Sequence, residues 1–273
     1  MPSLTVADRV VSYEDYGSGP VVFLIHGSPG NSKVWSRAGE RLSDRYRVIA
    51  PDLPGYGDTT PQPADAVPDT AHAATILEAL IAAVGVPVVL AGHSYGAVVA
   101  QAVALRGNVT PGALALFETV ALRLLPMAGD TQAYESAKAV FDDYIASFEA
   151  GNDRAFQKII DFWFGSGAFD AMPESVQTHL LKGTSCNIRD VQATFREEYS
   201  VEGMDKLRMP VLAVYGARSP EVTRKMAQAI ATHARRGSIL CMQKANHALT
   251  TTHFEEVARI IGDLATNAAQ QPV

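Results

Sequence analysis

A serine with a glycine two residues to either side, Gly92-His93-Ser94-Tyr95-Gly96, joins two apolar runs of different character. Val86-Pro87-Val88-Val89-Leu90 before it is short, β-branched and uncharged, the pattern of a buried strand. Ala97 to Leu105 after it reads as a buried helix that stops near Gly107. Between a strand and a helix, Gly-x-Ser-x-Gly makes a sharp turn. Gly92 and Gly96 carry no Cβ and let the two elements approach, so Ser94 is forced into a strained backbone with its hydroxyl above the sheet. The chemistry of such a position is nucleophilic, and Ser94 is the predicted nucleophile.

A serine hydroxyl attacks only when a base takes its proton. Of the seven histidines, His247 follows the last predicted strand in the polar loop Lys244-Ala245-Asn246-His247, from which it can lean over the strand ends. His72, His179 and His233 lie on predicted helices and read as solvated, and His253 opens the last helix. His93 points away from its neighbour Ser94, and His26 sits in a turn with a structural role. His247 is therefore the predicted base. The acid that orients it is less plainly written. In the loop Gly216-Ala217-Arg218-Ser219-Pro220-Glu221, Ser219 stands where an Asp is expected and supplies no charge. Glu118, at the end of the preceding strand, can supply it, and Glu221 is the alternative, with first-turn helix stabilisation as its competing role. Two N–H groups are predicted to hold the oxyanion of an acyl-transfer intermediate: the amide of Tyr95 at its helix N-terminus, and that of Ser28 in the turn His26-Gly27-Ser28-Pro29-Gly30.

The elements that must position these groups alternate. Apolar strands are predicted at 21–25, 47–50, 86–90, 113–117, 210–216 and 238–242, with helices between them, after an N-terminal hairpin over 4–16 that turns at Ala7-Asp8. Strands alternating with helices imply a mostly parallel sheet covered on both faces. The alternation lapses from 119 to 205, where four helices are predicted and no strand. That segment reads as a helical cap, or lid, inserted into a core made of residues 1–118 and 206–273. It holds 11 of the chain's 21 aromatic residues and no Lys/Arg cluster, so its inner face suits an apolar substrate. Trp163 and Phe164 are the predicted roof of the substrate pocket. The tail from Gln270 to Val273 is expected to fray.

Bulk properties narrow the function further. A net charge of −6 without any basic block argues against nucleic acid or an anionic membrane as partner. Cys186 and Cys241 stand far apart, have no metal-ligand spacing, and are expected to be reduced and buried. Met1 to Tyr16 lacks a basic stretch followed by an apolar one, so no secretory signal is expected and a cytoplasmic location is. No metal or organic cofactor is implied. The expected partner is a small-molecule substrate, with the chain a monomer or homodimer.

His26-Gly27-x-Pro29, Asp52-Leu-Pro-Gly-Tyr-Gly, Gly92-x-Ser94-x-Gly96 and a late Asn246-His247 stand in the order of the α/β-hydrolase superfamily, which the chain resembles over nearly its whole length outside the lid. The resemblance implies a mostly parallel eight-stranded sheet flanked by helices, with the lid after strand 6. Trp35 and the His-Gly-x-Pro turn resemble the capped branch that contains epoxide hydrolases and haloalkane dehalogenases. Those enzymes use an Asp nucleophile, and Ser94 moves this chain to acyl transfer. Some members of that branch keep their acid after the sixth strand, where Glu118 stands. The resulting expectation is a serine hydrolase of carboxylic esters. Its rivals are a carbon–carbon bond hydrolase, a lactonase or a cofactor-free perhydrolase on the same three residues, and a ligand sensor with little turnover. An aminopeptidase is disfavoured because the lid shows no acidic pair to hold a free amine.

Overall fold

The structure is a computed structural model that describes residues 2–6 and 9–270, with backbone only at 269 and 270. The predicted Ala7-Asp8 turn and the tail Gln271-Pro272-Val273 lie outside the described residues. The strands are β1 (Ser3–Val6), β2 (Arg9–Tyr16), β3 (Val21–Ile25), β4 (Arg47–Pro51), β5 (Val89–His93), β6 (Leu114–Phe117), β7 (Val211–Gly216) and β8 (Gly237–Met242). They form one sheet in the order β1-β2-β4-β3-β5-β6-β7-β8; β1 and β2 pair antiparallel, as do β2 and β4, and the remaining pairs are parallel.

The parallel strands are apolar without interruption because both faces are covered. In β3, Phe23 and Ile25 enter one core while Val22 and Leu24 enter the other, and β6 divides Leu114 and Leu116 from Ala115 and Phe117 in the same way. The first core is closed by α2 (Thr70–Val84), α3 (Tyr95–Arg106) and α10 (Glu221–His233). The second is closed by α1 (Ser36–Leu42) and α12 (Phe254–Gln270), with Trp35 fully buried between them and the sheet. The strand predicted from Val86 begins at Val89 instead and runs on through Gly92 to His93. Pro87 has no N–H to give a ladder, although Val88 still donates to the Val21 carbonyl at 2.8 Å.

Between β6 and β7 the chain forms α4 (Leu124–Met127), α5 (Thr131–Glu149), α6 (Gln157–Phe164), α7 (Glu174–Lys182), α8 (Thr184–Arg196) and α9 (Val201–Asp205), with no strand. α5 starts where Asp130 accepts a hydrogen bond from the Ala133 amide and ends before Gly151 at φ +86°. These helices share an aromatic core of their own around Phe141, Tyr144, Phe156, Trp163 and Phe169. α4 and α9, each about one turn long, carry too few residues for a periodic pattern and were not foreseen. A last short helix, α11 (Leu249–Thr252), follows β8. Among the described residues no helix is long and apolar enough to cross a membrane.

Candidate active site

Register explains why distant residues meet. His93, Phe117 and Val214 lie side by side across β5, β6 and β7. Ser94 is the next residue on its strand and Glu118 on its own, so both leave the sheet at the same level. The Ser94 amide donates to the Phe117 carbonyl at 3.0 Å, and the Glu118 amide to the Val214 carbonyl at 2.8 Å. Both residues then turn with positive φ, +52° at Ser94 and +49° at Glu118, the two non-glycine residues of that kind among those described. An L-residue held in that region stores strain, and such outliers cluster at functional sites. The close approach demanded of the glycines is met. A Cβ on Gly92 would lie 2.2 Å from the Gly96 carbonyl oxygen, and one on Gly96 2.3 Å from that of His26.

His247 arrives from the loop after β8. Its Nε2 lies 3.1 Å from Ser94 Oγ and its Nδ1 3.0 Å from Glu118 Oε2. A carboxylate only accepts, so Nδ1 carries the proton and Nε2 is left free to accept from the serine. Glu118 is 0 % exposed. Its other oxygen accepts from the Gly216 amide at 2.5 Å and from the Ser219 hydroxyl at 2.9 Å. Three donors thus offset the desolvation of one buried carboxylate. Ser219, which stands where the sequence pattern expects an acid, donates instead to the Glu118 carboxylate. Glu221 stays away from the histidine: it opens α10, is exposed, and pairs with Arg224.

The other histidines divide as their surroundings dictate. His26 is fully buried, donates from Nδ1 to the Gly27 carbonyl at 2.8 Å and accepts at Nε2 from the Leu53 amide at 2.8 Å, which pins the β3 exit turn to the β4 exit loop. Asp52 adds to this by accepting from the Ser32 amide at 2.7 Å. His93 donates from Nε2 to the His247 carbonyl at 2.8 Å and so steadies the loop that carries it. His72, expected to be solvated, is half-buried instead, with Nε2 unpartnered. Cys186 and Cys241 are free, and each is half-buried rather than buried.

Above these groups lies a cavity of about 420 Å³, lined by Ser28, Ser94, Tyr95 and His247 on the sheet side and by α5, α6 and α8 opposite. Trp163 and Phe164 both line it. The Trp163 indole stacks on the His247 imidazole at 4.2 Å between centroids and 8° between planes, and Phe164 meets the same ring edge-on at 6.2 Å. No cluster of His, Cys, Asp and Glu able to hold a metal ion occurs among the described residues.

One side of the cavity is polar, and the sequence reading missed it. Asn187, Asp190 and Thr194 on α8 line it at i, i+3 and i+7, a polar stripe beside the apolar one that announced the helix. The Tyr56 hydroxyl donates to Asp190 Oδ2 at 2.6 Å. Burial pushes the Asp190 carboxyl up to about 7, against the hydrogen bond from Tyr56, which favours its charge. Between about pH 4 and that value the folded chain keeps a proton that the unfolded chain has released, so this group's contribution to stability falls as pH rises across the window and is constant above it. Burial lowers His26 to about 4 and His93 to about 3. These act in the opposite sense, because below about pH 6.5 the unfolded chain gains protons that the folded one refuses. Asp190→Asn removes only the first effect. Its melting temperature relative to the parent should rise between pH 5 and pH 8, and an equal difference at both would contradict the assignment.

Residues 21–260 match the model of the alpha/beta hydrolase family. The chain belongs to that family. Across 254 residues the hydrolase is 25 % identical to an (E)-2-((N-methylformamido)methylene)succinate hydrolase of Acinetobacter baylyi, covering 92 % of each chain. It is 25 % identical over 244 residues to a pimeloyl-acyl-carrier-protein methyl ester esterase of Neisseria meningitidis, covering 89 % of its own length and 92 % of that protein. Its fold superposes on an esterase from Exiguobacterium antarcticum with a TM-score of 0.76 at 19 % identity, covering 97 % and 98 % of the two chains.

Proposed function

We propose that the protein is a serine hydrolase that cleaves carboxylic esters of small, largely apolar substrates through an acyl-enzyme. The observation that carries this reading is the buried, hydrogen-bonded line Ser94–His247–Glu118 opening into a largely apolar cavity with one polar side. Similarity to a protein named as a methyl ester esterase supports ester cleavage, and similarity to one named as a hydrolase of a substituted succinate supports hydrolysis alone.

In the proposed mechanism His247 Nε2 takes the Ser94 proton as Oγ attacks the ester carbonyl. Glu118, charged and fixed by Gly216 and Ser219, stabilises the imidazolium that forms. The carbonyl oxygen gains a negative charge and is held by the amides of Tyr95 and Ser28. Tyr95 is the first residue of α3, where the N–H groups have no partner within the helix and the helix dipole favours an anion. Collapse of the tetrahedral intermediate gives the leaving alcohol the proton from His247. Water, deprotonated by the same histidine, then releases the acid. No metal or cofactor takes part in these steps. Helices α4 to α9, over residues 119–205, act as the cap, and residues 1–118 and 206–273 as the core.

The stacked indole of Trp163 faces the ring that becomes cationic in this scheme. A cation held over an aromatic face gains about 0.5–2 kcal/mol. Trp163→Leu should therefore lower kcat by about 2- to 30-fold, whereas an unchanged kcat would reduce Trp163 to a wall of the pocket.

Substrate choice is tested by profiling p-nitrophenyl esters from acetate to octanoate alongside lactones and β-diketones. The reading predicts the highest kcat/KM on a short to medium acyl ester. Preferential turnover of the diketone would favour the carbon–carbon hydrolase, of the lactone the lactonase, and binding without product the sensor.

A further inference from the structure

The turn that carries Ser28 is tied to the cap by its own side chain. Asn187 Nδ2 on α8 donates to Ser28 Oγ at 2.8 Å, and Ser28 Oγ lies 2.7 Å from the Tyr56 hydroxyl. Tyr56 gives its single proton to Asp190 Oδ2, also on α8, at 2.6 Å. Ser28 must therefore donate to Tyr56 while accepting from Asn187. Asn187 is held in turn, since Tyr144 on α5 donates to its Oδ1 at 3.0 Å. The hydrogen bonds thus run in one direction, from Tyr144 through Asn187, Ser28 and Tyr56 to Asp190, crossing twice between the helical segment and the sheet. With Asp190 ionised the line ends on a group that only accepts, and Tyr144 at its start also lies 3.3 Å from the Thr184 carbonyl.

We propose that this line is a clamp through which α8 sets the position of the Ser28 amide, so that Asn187, Tyr56 and Asp190 are positioning residues for oxyanion stabilisation. The inference rests on the esterase reading, in which that amide faces the developing oxyanion. The proposed donors of that site differ in rigidity. The Tyr95 amide is built into a helix, whereas the Ser28 amide sits in a turn whose outer side needs an anchor. A displacement too small to disturb substrate binding misaims a hydrogen bond made mainly in the transition state, and the cost falls on kcat. The clamp also couples the two parts of the molecule: the oxyanion site is complete only while α8 is docked.

Two measurements test it. The first is a kinetic cycle of Ser28→Ala, which keeps the amide and deletes the hydroxyl, with Tyr56→Phe. Each single variant should lose about tenfold in kcat with KM changed less than about threefold, and the double variant should be no worse than the poorer single one. Asp190→Asn, which still offers Tyr56 an acceptor, should retain at least about fivefold more activity than Asp190→Ala. Multiplying losses in the double variant, or a rise in KM at constant kcat, would overturn the clamp. The second is amide hydrogen exchange over residues 26–31, which needs no turnover. Both single variants should exchange faster there than the parent, and Ser94→Ala should not. Unchanged exchange in a protein that still turns over esters would sink the clamp alone. Faster exchange in a protein without Ser94-dependent turnover would sink the esterase reading and leave the coupling of α8 to the turn standing.

Discussion

Ser94→Ala is expected to lower kcat on p-nitrophenyl butyrate by about 10⁴- to 10⁶-fold, to the level that transition-state binding alone sustains. The size follows from what is lost. Without Oγ no acyl-enzyme forms, and His247 can only activate water from the wrong distance. The fold should survive, because the hydroxyl's hydrogen bond is to His247 and the backbone strain at φ +52° is borne by the turn. Alanine tolerates that region no better than serine does, so a modest change in melting temperature is acceptable and a lost transition is not. Residual activity within about tenfold of the parent would remove Ser94 from the mechanism.

Glu118→Gln is expected to cost about 10³- to 10⁴-fold in kcat with little change in KM. The substitution keeps volume and shape at a fully buried site, so packing is not what it tests. It tests hydrogen-bond logic. Gly216 N–H and Ser219 O–H converge on one oxygen of Glu118, and His247 on the other. A glutamine has one acceptor oxygen and one donor amide. If the oxygen stays with Gly216 and Ser219, the amide faces His247 Nδ1 and drives the proton to Nε2, the atom that must accept from Ser94. If the amide flips, it opposes the Gly216 N–H and leaves two buried donors facing each other. The first arrangement puts the imidazole in the wrong tautomer; the second keeps the tautomer but opposes two buried donors and lacks the charge that stabilises the imidazolium. Placing an aspartate at the neighbouring loop position in the same protein, Glu118→Gln with Ser219→Asp, should recover at least about tenfold, because it returns a negative charge beside the place of the Glu118 carboxylate, which Ser219 Oγ touches at 2.9 Å. An unaffected single variant would show that His247 works without this acid.

Much of this arrangement was legible in the chain because it rests on local patterns. Apolar runs bounded by Gly and Pro announced the parallel strands, and Gly92-x-Ser94-x-Gly96 announced the sharp turn, since only residues without a Cβ fit a gap of 2.2 Å. His247 was found from its place after the last strand. Glu118 was readable as the favoured acid but not as the sole candidate, with Glu221 as the alternative, because its use depends on two things a sequence does not display: that β6 and β7 are neighbours in register, and that the backbone turns to φ +49° at that residue. Ser219 could not be read as a ligand of the acid for the same reason. The polar side of the cavity stayed hidden for another cause. Tyr56 stands more than a hundred residues from Asp190, and Ser28 as far from Asn187, and each pair meets only when α8 docks against the strand-exit loops, so no spacing rule joins them. The inward polar stripe at 187, 190 and 194 was the one available sign, and the apolar periodicity of the same helix masked it.

The central claim is that Ser94 becomes covalently acylated. Intact-mass analysis after rapid acid quench of the enzyme with p-nitrophenyl butyrate measures that directly, with peptide mapping to locate the adduct. One butyryl group on the peptide containing Ser94, formed with a burst of p-nitrophenol and absent from Ser94→Ala, is the predicted result. Ester turnover at full rate with no adduct at any quench time, or with the label on another residue, would contradict it.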